Sequence, residues 1–418
     1  MSEEDNVLEV KPITPTNWPL MLAATMSTPL IDPQAGQHPR DPEVIWCPPL
    51  NSIGLSGIGK SHRIKWIARN CGINGVHTVL TSTKQPASFE GACVPTANGI
   101  VVECILPAAR KCIQLAHQSN LIFFDEINGA TPRTQGACMS ALNDRQFGDH
   151  VIPPKTRMLA AMNPAKYSAG GFTFTAPMAN RMGHVWYPTP PKAGWINWMN
   201  GLVEQALNLQ NAEQLVIKNW DDQFRTVKAL MTGFERRSEQ KVFVCQPEPD
   251  DPESGQAWPS YRTWWWALCA ITACRCLDIG LDTQLDFVGA YAGRSAQSLW
   301  GAWVNEARLP DPAKMLSDGW KPDNINIDVT YACLNNVTDY VVNMAKTNRQ
   351  QAGQEAGKVW GFLESVIGVG QGDLTANCAA RLHGNQLGRH GTPADTEQIA
   401  SRVLELMTEK KLTLLATA

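Results

Sequence analysis

The chain has 418 residues, enough for two or three domains and a large buried core. A hydrophobic share of 44% beside 18% charged residues is the composition of a soluble globular protein, and a net charge of -3 argues against a nucleic-acid partner. Twelve cysteines form no CxxC pair, and eight histidines form no HExxH cluster, so zinc sites are not expected and the thiols read as reduced, in the cytoplasm.

The N-terminus opens Met1-Ser2-Glu3-Glu4-Asp5, acidic where a secretory leader must be basic. The apolar patch from Trp18 to Ile31 is interrupted and too short to span a bilayer, so no membrane role is expected. Residues 1 to about 40 read as an extension, because Pro12, Pro15, Pro19, Pro29, Pro33 and Pro39 are spaced against regular structure.

From about 41 to 190, short apolar runs alternate with helical stretches, the pattern of a parallel α/β sheet. His77–Thr81, Leu121–Phe124 and Met158–Met162 are the strand candidates. The second is apolar at all four positions, as a central strand covered on both faces requires.

The run Gly54-Leu-Ser-Gly57-Ile58-Gly59-Lys60-Ser61 fits GxxxxGKS in full. Its glycines let backbone N–H groups curl around phosphates, Lys60 reaches the terminal ones, and Ser61 is a ligand for Mg²⁺. His62 opens the following helix, whose N-terminus favours the same anion. These residues point to ATP with Mg²⁺ as the cofactors. Two registers compete for the strand that enters the loop: Leu50–Ile53 running straight into Gly54, or Val44–Trp46 followed by an insertion. The first is favoured, since the loop geometry needs the strand to lead into the first glycine.

Further along, Leu121-Ile-Phe-Phe-Asp125-Glu126-Ile-Asn128 is an apolar strand ending in two carboxylates. Asp125 would hold Mg²⁺ through water, and Glu126 would polarise the water that attacks the γ-phosphate. Met158-Leu-Ala-Ala-Met162-Asn163-Pro164 ends another buried strand in a polar residue. Ligands of parallel sheets sit at strand carboxyl ends, so Asn163 should lie beside Asp125.

Composition changes after this point: twelve of the fifteen tryptophans lie at or beyond Trp186, and helical periodicity dominates. Gln246–Ser254 reads as a linker or surface loop, and another break falls at Pro310-Asp311-Pro312. Adjacent residues on a helix point about 100° apart, so Trp264-Trp265-Trp266 must place at least one ring inside. The segment reads as helical core rather than as a binding surface. Ile399, Val403, Leu406 and Met407 share one face of a closing helix from Ala394 to about Leu412, which should therefore dock.

This order of motifs resembles MoxR-type AAA+ ATPases over nearly the whole chain. The likeness is carried by Asp125-Glu-Ile-Asn128, Asp144-Arg145, Ala161-Met-Asn-Pro164, Ala179-Asn180-Arg181, Trp258-Pro-Ser-Tyr-Arg262-Thr-Trp264 and Leu309-Pro-Asp-Pro312. The resemblance implies an AAA+ αβα sandwich with a parallel sheet at 41–190, an α-helical lid at 191–310 and a helical C-terminal region at 311–418. It implies a homo-oligomeric, hexameric ring with ATP between subunits, in which Arg181 is an arginine finger and Arg262 a lid arginine at the same phosphates. It also implies remodelling of a protein client, with a von Willebrand factor A-domain partner. The loop Ser88-Phe89-Glu90-Gly91 occupies the place of a pore-facing loop, where Phe89 either grips substrate or anchors the core. Arg145–Arg157 resembles the family's hairpin before Asn163. Where family members often carry Arg after the Asp-Glu-Ile-Asn run, this chain has Gly129. The rival readings are a nucleic-acid-directed motor or restriction-type NTPase, and a nucleotide-dependent scaffold with little turnover.

Overall fold

A computed structural model describes residues 13–15, 17–28, 48–95, 98, 101–164, 167, 172–200, 211–248, 251, 254–307, 309–322, 326–388 and 394–409. Helix α1 spans Trp18–Ser27, strand β1 Leu50–Ile53, α2 Lys60–Asn70, β2 Gly75–Leu80 and α3 Ala87–Glu90. Then come β3 (Ala92–Pro95), β4 (Val101–Cys104), α4 (Pro107–Gln114), β5 (Asn120–Asp125) and α5 (Pro132–Asn143). They are followed by β6 (Gln146–Phe147), β7 (His150–Val151), β8 (Thr156–Met162), α6 (Ala176–Ala179), β9 (Gly183–Trp186) and α7 (Lys192–Met199). The rest is helical: α8 (Ala212–Arg237), α9 (Gln240–Phe243), α10 (Tyr261–Cys276), α11 (Leu281–Ala292) and α12 (Arg294–Ala307). The last five are α13 (Pro312–Asp318), α14 (Ile327–Thr347), α15 (Arg349–Gly368), α16 (Ala376–Gly384) and α17 (Ala394–Glu409).

Five strands form one parallel sheet in the order β2-β5-β8-β1-β9. Both faces are covered, and the residues of β5 show how. Ile122 and Phe124 join Val79, Met158 and Ala160 in a core completed by α4, α5 and α6. Leu121 and Phe123, pointing the other way, are equally buried, and the Lys65 ammonium of α2 lies 5.9 Å from the Phe123 ring centroid. A strand buried on both sides reads as an unbroken apolar run, which is why β5 is legible in the sequence. The fold is therefore the α/β P-loop sandwich expected, with a helical C-terminal region.

The strand entering the loop is Leu50–Ile53, the favoured register; residues 44–46 lie outside the described residues. The N-terminal extension needs correction. Pro19 does not oppose regular structure there but sits in the first turn of α1, where a missing N–H costs nothing, and Asn17 caps the helix through Leu20 N. Trp18 is 1% exposed, donates its indole N–H to Ser52 Oγ at 3.2 Å and meets Tyr187 edge-on. Ile13 bridges Val185 in β9. Ile13 and the residues of α1 are therefore part of the α/β core.

The chain divides into two compact units, residues 1–221 with 240–300, and 222–239 with 301–418. Helices α10 and α11, placed in a separate lid by the sequence, belong to the sheet's unit. The Tyr291 hydroxyl donates to Pro48 O, and Gly183 in β9 leaves no room for a Cβ against the Tyr291 ring. Helix α10 starts at a capping box of Ser260 and Thr263. Of its three tryptophans, Trp264 and Trp266 are buried and Trp265 is exposed, as the 100° spacing requires.

In the second unit, α14 and α15 meet at Asn348, which caps α15 through Gln351 N. Residues 350–357, rich in Gln, Ala and Gly, lie inside α15. The closing helix α17 buries Val403 and Met407, with Ile399 and Leu406 partly buried. Among the described residues, no helix is long and apolar enough to cross a membrane.

Candidate nucleotide-binding site

The parallel pairing brings three strand ends to one place. Ile53 is in register with Met162, and Phe124 with Ala160, so Gly54, Asp125 and Asn163 leave the sheet side by side. The loop after β1 folds back because Gly57 and Gly59 take φ of 77° and 88°, a region other residues avoid. Gly54 meets a different demand: an added Cβ would stand 3.2 Å from both Cβ and O of Tyr187. Gly59 is the N-cap of α2, so the helix begins at Lys60.

Lys60 is 7% exposed, and its ammonium spends its donors on Gly54 O at 2.7 Å, Leu55 O at 2.6 Å and Asn163 Oδ1 at 2.9 Å. Burial lowers its pKa from 10.5 to about 8, and the nearby Asp125 carboxylate works in the opposite direction. The Ser61 hydroxyl donates to Asp125 Oδ2 at 2.8 Å. Glu126 is exposed and holds left-handed backbone, φ 51° and ψ 44°. Such a conformation costs an L-residue about 1–2 kcal/mol and turns its side chain away from the strand direction.

A cavity of about 310 Å³ opens here, lined from the loop side by Gly57, Gly59, Lys60, Ser61 and His62 and from the strand ends by Asp125, Glu126 and Asn163. Ser56 and Met162 complete it, and neither was singled out by sequence. Ile58 and Gly54 belong to the loop without lining the cavity. The cradle fits a polyphosphate: a Cβ on Gly57 or Gly59 would meet nothing within 4 Å, so the space beside the loop is open. A magnesium ion also fits, since the Ser61 hydroxyl and the Asp125 carboxylate already lie together. Among the described residues no group of three His, Cys, Asp or Glu side chains is placed to hold a metal, here or elsewhere. The remaining ligands of such an ion would therefore be phosphate oxygens and water.

Two further residues shape the site. Ser82, just past β2, donates to Glu126 Oε2 at 3.0 Å, and Asn128 donates to Asn163 O at 2.9 Å. Asn128 was visible in its motif. Ser82 was not, because its role depends on β2 lying beside β5, which no local pattern reveals. The same pairing explains Gly129, whose added Cβ would stand 2.7 Å from Ser82 Cβ. An arginine at that position would displace the serine.

Arg181 and Arg262 do not line this cavity. Burial first, and then the Arg262 charge, lower the Arg181 pKa, while the Asp144 carboxylate opposes both. Phe89, left open between pore and core, is a core residue. It is 2% exposed and packs against Phe147 and Phe124 at ring centroids of 6.1 and 6.4 Å. The hairpin foreseen between Arg145 and Arg157 is β6–β7, and it is tied to α3 by Gly148 N–H donating to Phe89 O.

No family model matches the sequence, and no curated protein matches it. Among solved structures, the chain is similar to a crystal structure from Cytophaga hutchinsonii ATCC 33406 of a protein assigned provisionally as an ATPase. The identity is 12%, the TM-score 0.43, and the match covers 70% of this chain and 88% of that one.

Proposed function

We propose that the chain is an ATP-hydrolysing AAA+ enzyme of the MoxR-like kind. The observation that carries this reading is the convergence of Lys60, Ser61, Asp125, Glu126 and Asn163 on one cavity behind an open glycine cradle. A P-loop alone would support binding. A carboxylate ligand for magnesium, a second carboxylate beside it and a polar residue on the adjacent strand support hydrolysis.

Bound magnesium would neutralise charge developing on the β- and γ-phosphates. Lys60 would neutralise the terminal phosphates, exchanging some carbonyl contacts for charge-assisted ones. Glu126 orients the attacking water and accepts its proton, and Ser82 fixes the carboxylate from which it does so. Asn163 holds the Lys60 ammonium in register with the γ-phosphate.

The wider reading is a homo-oligomeric ring, hexameric by the resemblance, that works on a protein client together with a von Willebrand factor A-domain partner. Its support is the order of motifs along the chain and the absence of Arg181 and Arg262 from the lining of their own cavity. Lys60→Ala should abolish ATP binding in a calorimetric titration, and unchanged affinity would refute the site. Arg181→Ala should bind ATP but hydrolyse it poorly, and mixing it with Lys60→Ala protein should restore activity at interfaces that combine the two intact halves. Co-assembled mixtures that show the sum of two inactive proteins would refute the ring.

A further inference from the structure

Glu126 is the strained residue of the site. Its backbone lies at φ 51° and ψ 44°, and the turn that follows, Ile127–Gly129, is closed by Gly129 N–H donating to Glu126 O at 2.9 Å. A left-handed conformation at a residue other than glycine costs free energy, and it persists where the surroundings over-determine it. Two sides hold this turn. On the β2 side, Ser82 donates to the Glu126 carboxylate, and Gly129 leaves Ser82 the room to do so. On the β8 side the hold is made by Asn128, which is 2% exposed.

Asn128 acts through its side chain and its backbone together. Its Nδ2 donates to Asn163 O at 2.9 Å, and its own carbonyl accepts from Phe172 N–H at 2.9 Å. The chain that leaves β8 at Asn163 and returns at Phe172 is thus clasped to the turn at both points. Pro164 restricts the backbone of Asn163, so fixing the Asn163 carbonyl also aims its side chain. That side chain takes a hydrogen bond from Lys60 Nζ at 2.9 Å through Oδ1. Ile127 is buried in the core, so the turn cannot swing away as a whole. What the Asn128 bonds set is its alignment with the end of β8. One residue therefore joins the turn that carries Glu126 to the residue that holds Lys60.

We propose that Asn128 is a positioning residue: by clasping the turn after β5 to the end of β8, it fixes Glu126 against Asn163 and so sets the attacking water in line with a γ-phosphate held by Lys60. The proposal rests on the hydrolytic reading above, but Asn128 itself does not line the cavity. Its effect must pass through Glu126 and Asn163, and this separates it from a residue that merely stabilises the fold.

The test measures phosphate release and ATP affinity on the full chain with magnesium, in the native and Glu126→Gln backgrounds. Asn128→Ala should lower release at saturating ATP by about tenfold or more, since a shift of one ångström in a reacting group can cost about a hundredfold. The ATP Kd should stay within about threefold, because the glycine loop and the Lys60 contacts to Gly54 O and Leu55 O are untouched. In the Glu126→Gln background no base has to be placed, so the same substitution should cost less than about a further threefold, through Asn163 alone. Asn128→Asp keeps the size of the side chain but offers Asn163 O no donor at neutral pH. It should repeat both results, including where Asn128→Ala does not fold. Equal losses in the two backgrounds, the mark of a smaller folded fraction, would overturn the proposal. Unchanged turnover would overturn it too, as would a Kd that rises in step with the loss of turnover. If Glu126→Gln itself releases phosphate at the native rate, the hydrolytic reading fails and the proposal with it, an outcome distinct from failure of the clasp alone.

Discussion

Raising the pH through 8 should weaken ATP binding through one group, the Lys60 ammonium. Its pKa is pulled down to about 8 by burial beneath the loop. Phosphate oxygens favour the charged form, so binding holds the proton on the amine. At pH 7 the lysine is already charged and nothing is taken up. At pH 9 about one molecule in ten carries the proton, so binding must add it. The apparent Kd should then be about tenfold higher than at pH 7, with close to one proton absorbed per ATP. The terminal phosphate has finished its own titration below this window, since phosphate groups of this type titrate near pH 6. Calorimetry at pH 9 in two buffers of different ionisation heat measures both quantities. A Kd independent of pH between 7 and 9, with no proton uptake, would refute the assignment of Lys60 to the phosphates.

Other consequences follow from burial. His184 is fully enclosed, and burial lowers its pKa from 6.5 to about 4, so the unfolded chain binds more protons between those values. Stability should therefore be complete above pH 6.5 and fall by up to about 3 kcal/mol as the pH drops towards 4. His184→Gln should flatten that part of the denaturation profile, and an unchanged slope would place the acid sensitivity elsewhere. Phe89→Ala should cost about 3–5 kcal/mol in urea unfolding, as for any large ring removed from a packed core. A loss below about 1 kcal/mol would return Phe89 to the surface. Gly183→Ala should cost about 1–3 kcal/mol, because the new methyl would stand 2.6 Å from the Tyr291 ring and 2.7 Å from Leu50, and a neutral result would show that β9 can yield.

The sequence disclosed those parts of the fold whose cause is local. The glycines at 57 and 59 need their conformations wherever they occur, and the apolar runs of β5 and β8 follow from burial on two faces. Asp125, Glu126 and Asn163 could be placed together because parallel strands end on the same side. What stayed hidden depends on which elements meet. Helix α1 was concealed by prolines, one of which sits where a helix tolerates it. The attachment of α10 and α11 to the sheet unit rests on Tyr291 packing on Gly183, more than a hundred residues away in the chain. Ser82 is an ordinary serine until β2 pairs with β5.

The central claim is that one cavity both binds ATP and hydrolyses it, with Glu126 acting on the water. Glu126→Gln isolates it, since the amide keeps the size of the side chain and its contact with Ser82 but cannot take a proton. The variant should bind ATP with the native Kd and release phosphate at least about a hundredfold more slowly. Phosphate release near the native rate, at unchanged ATP affinity, would contradict it.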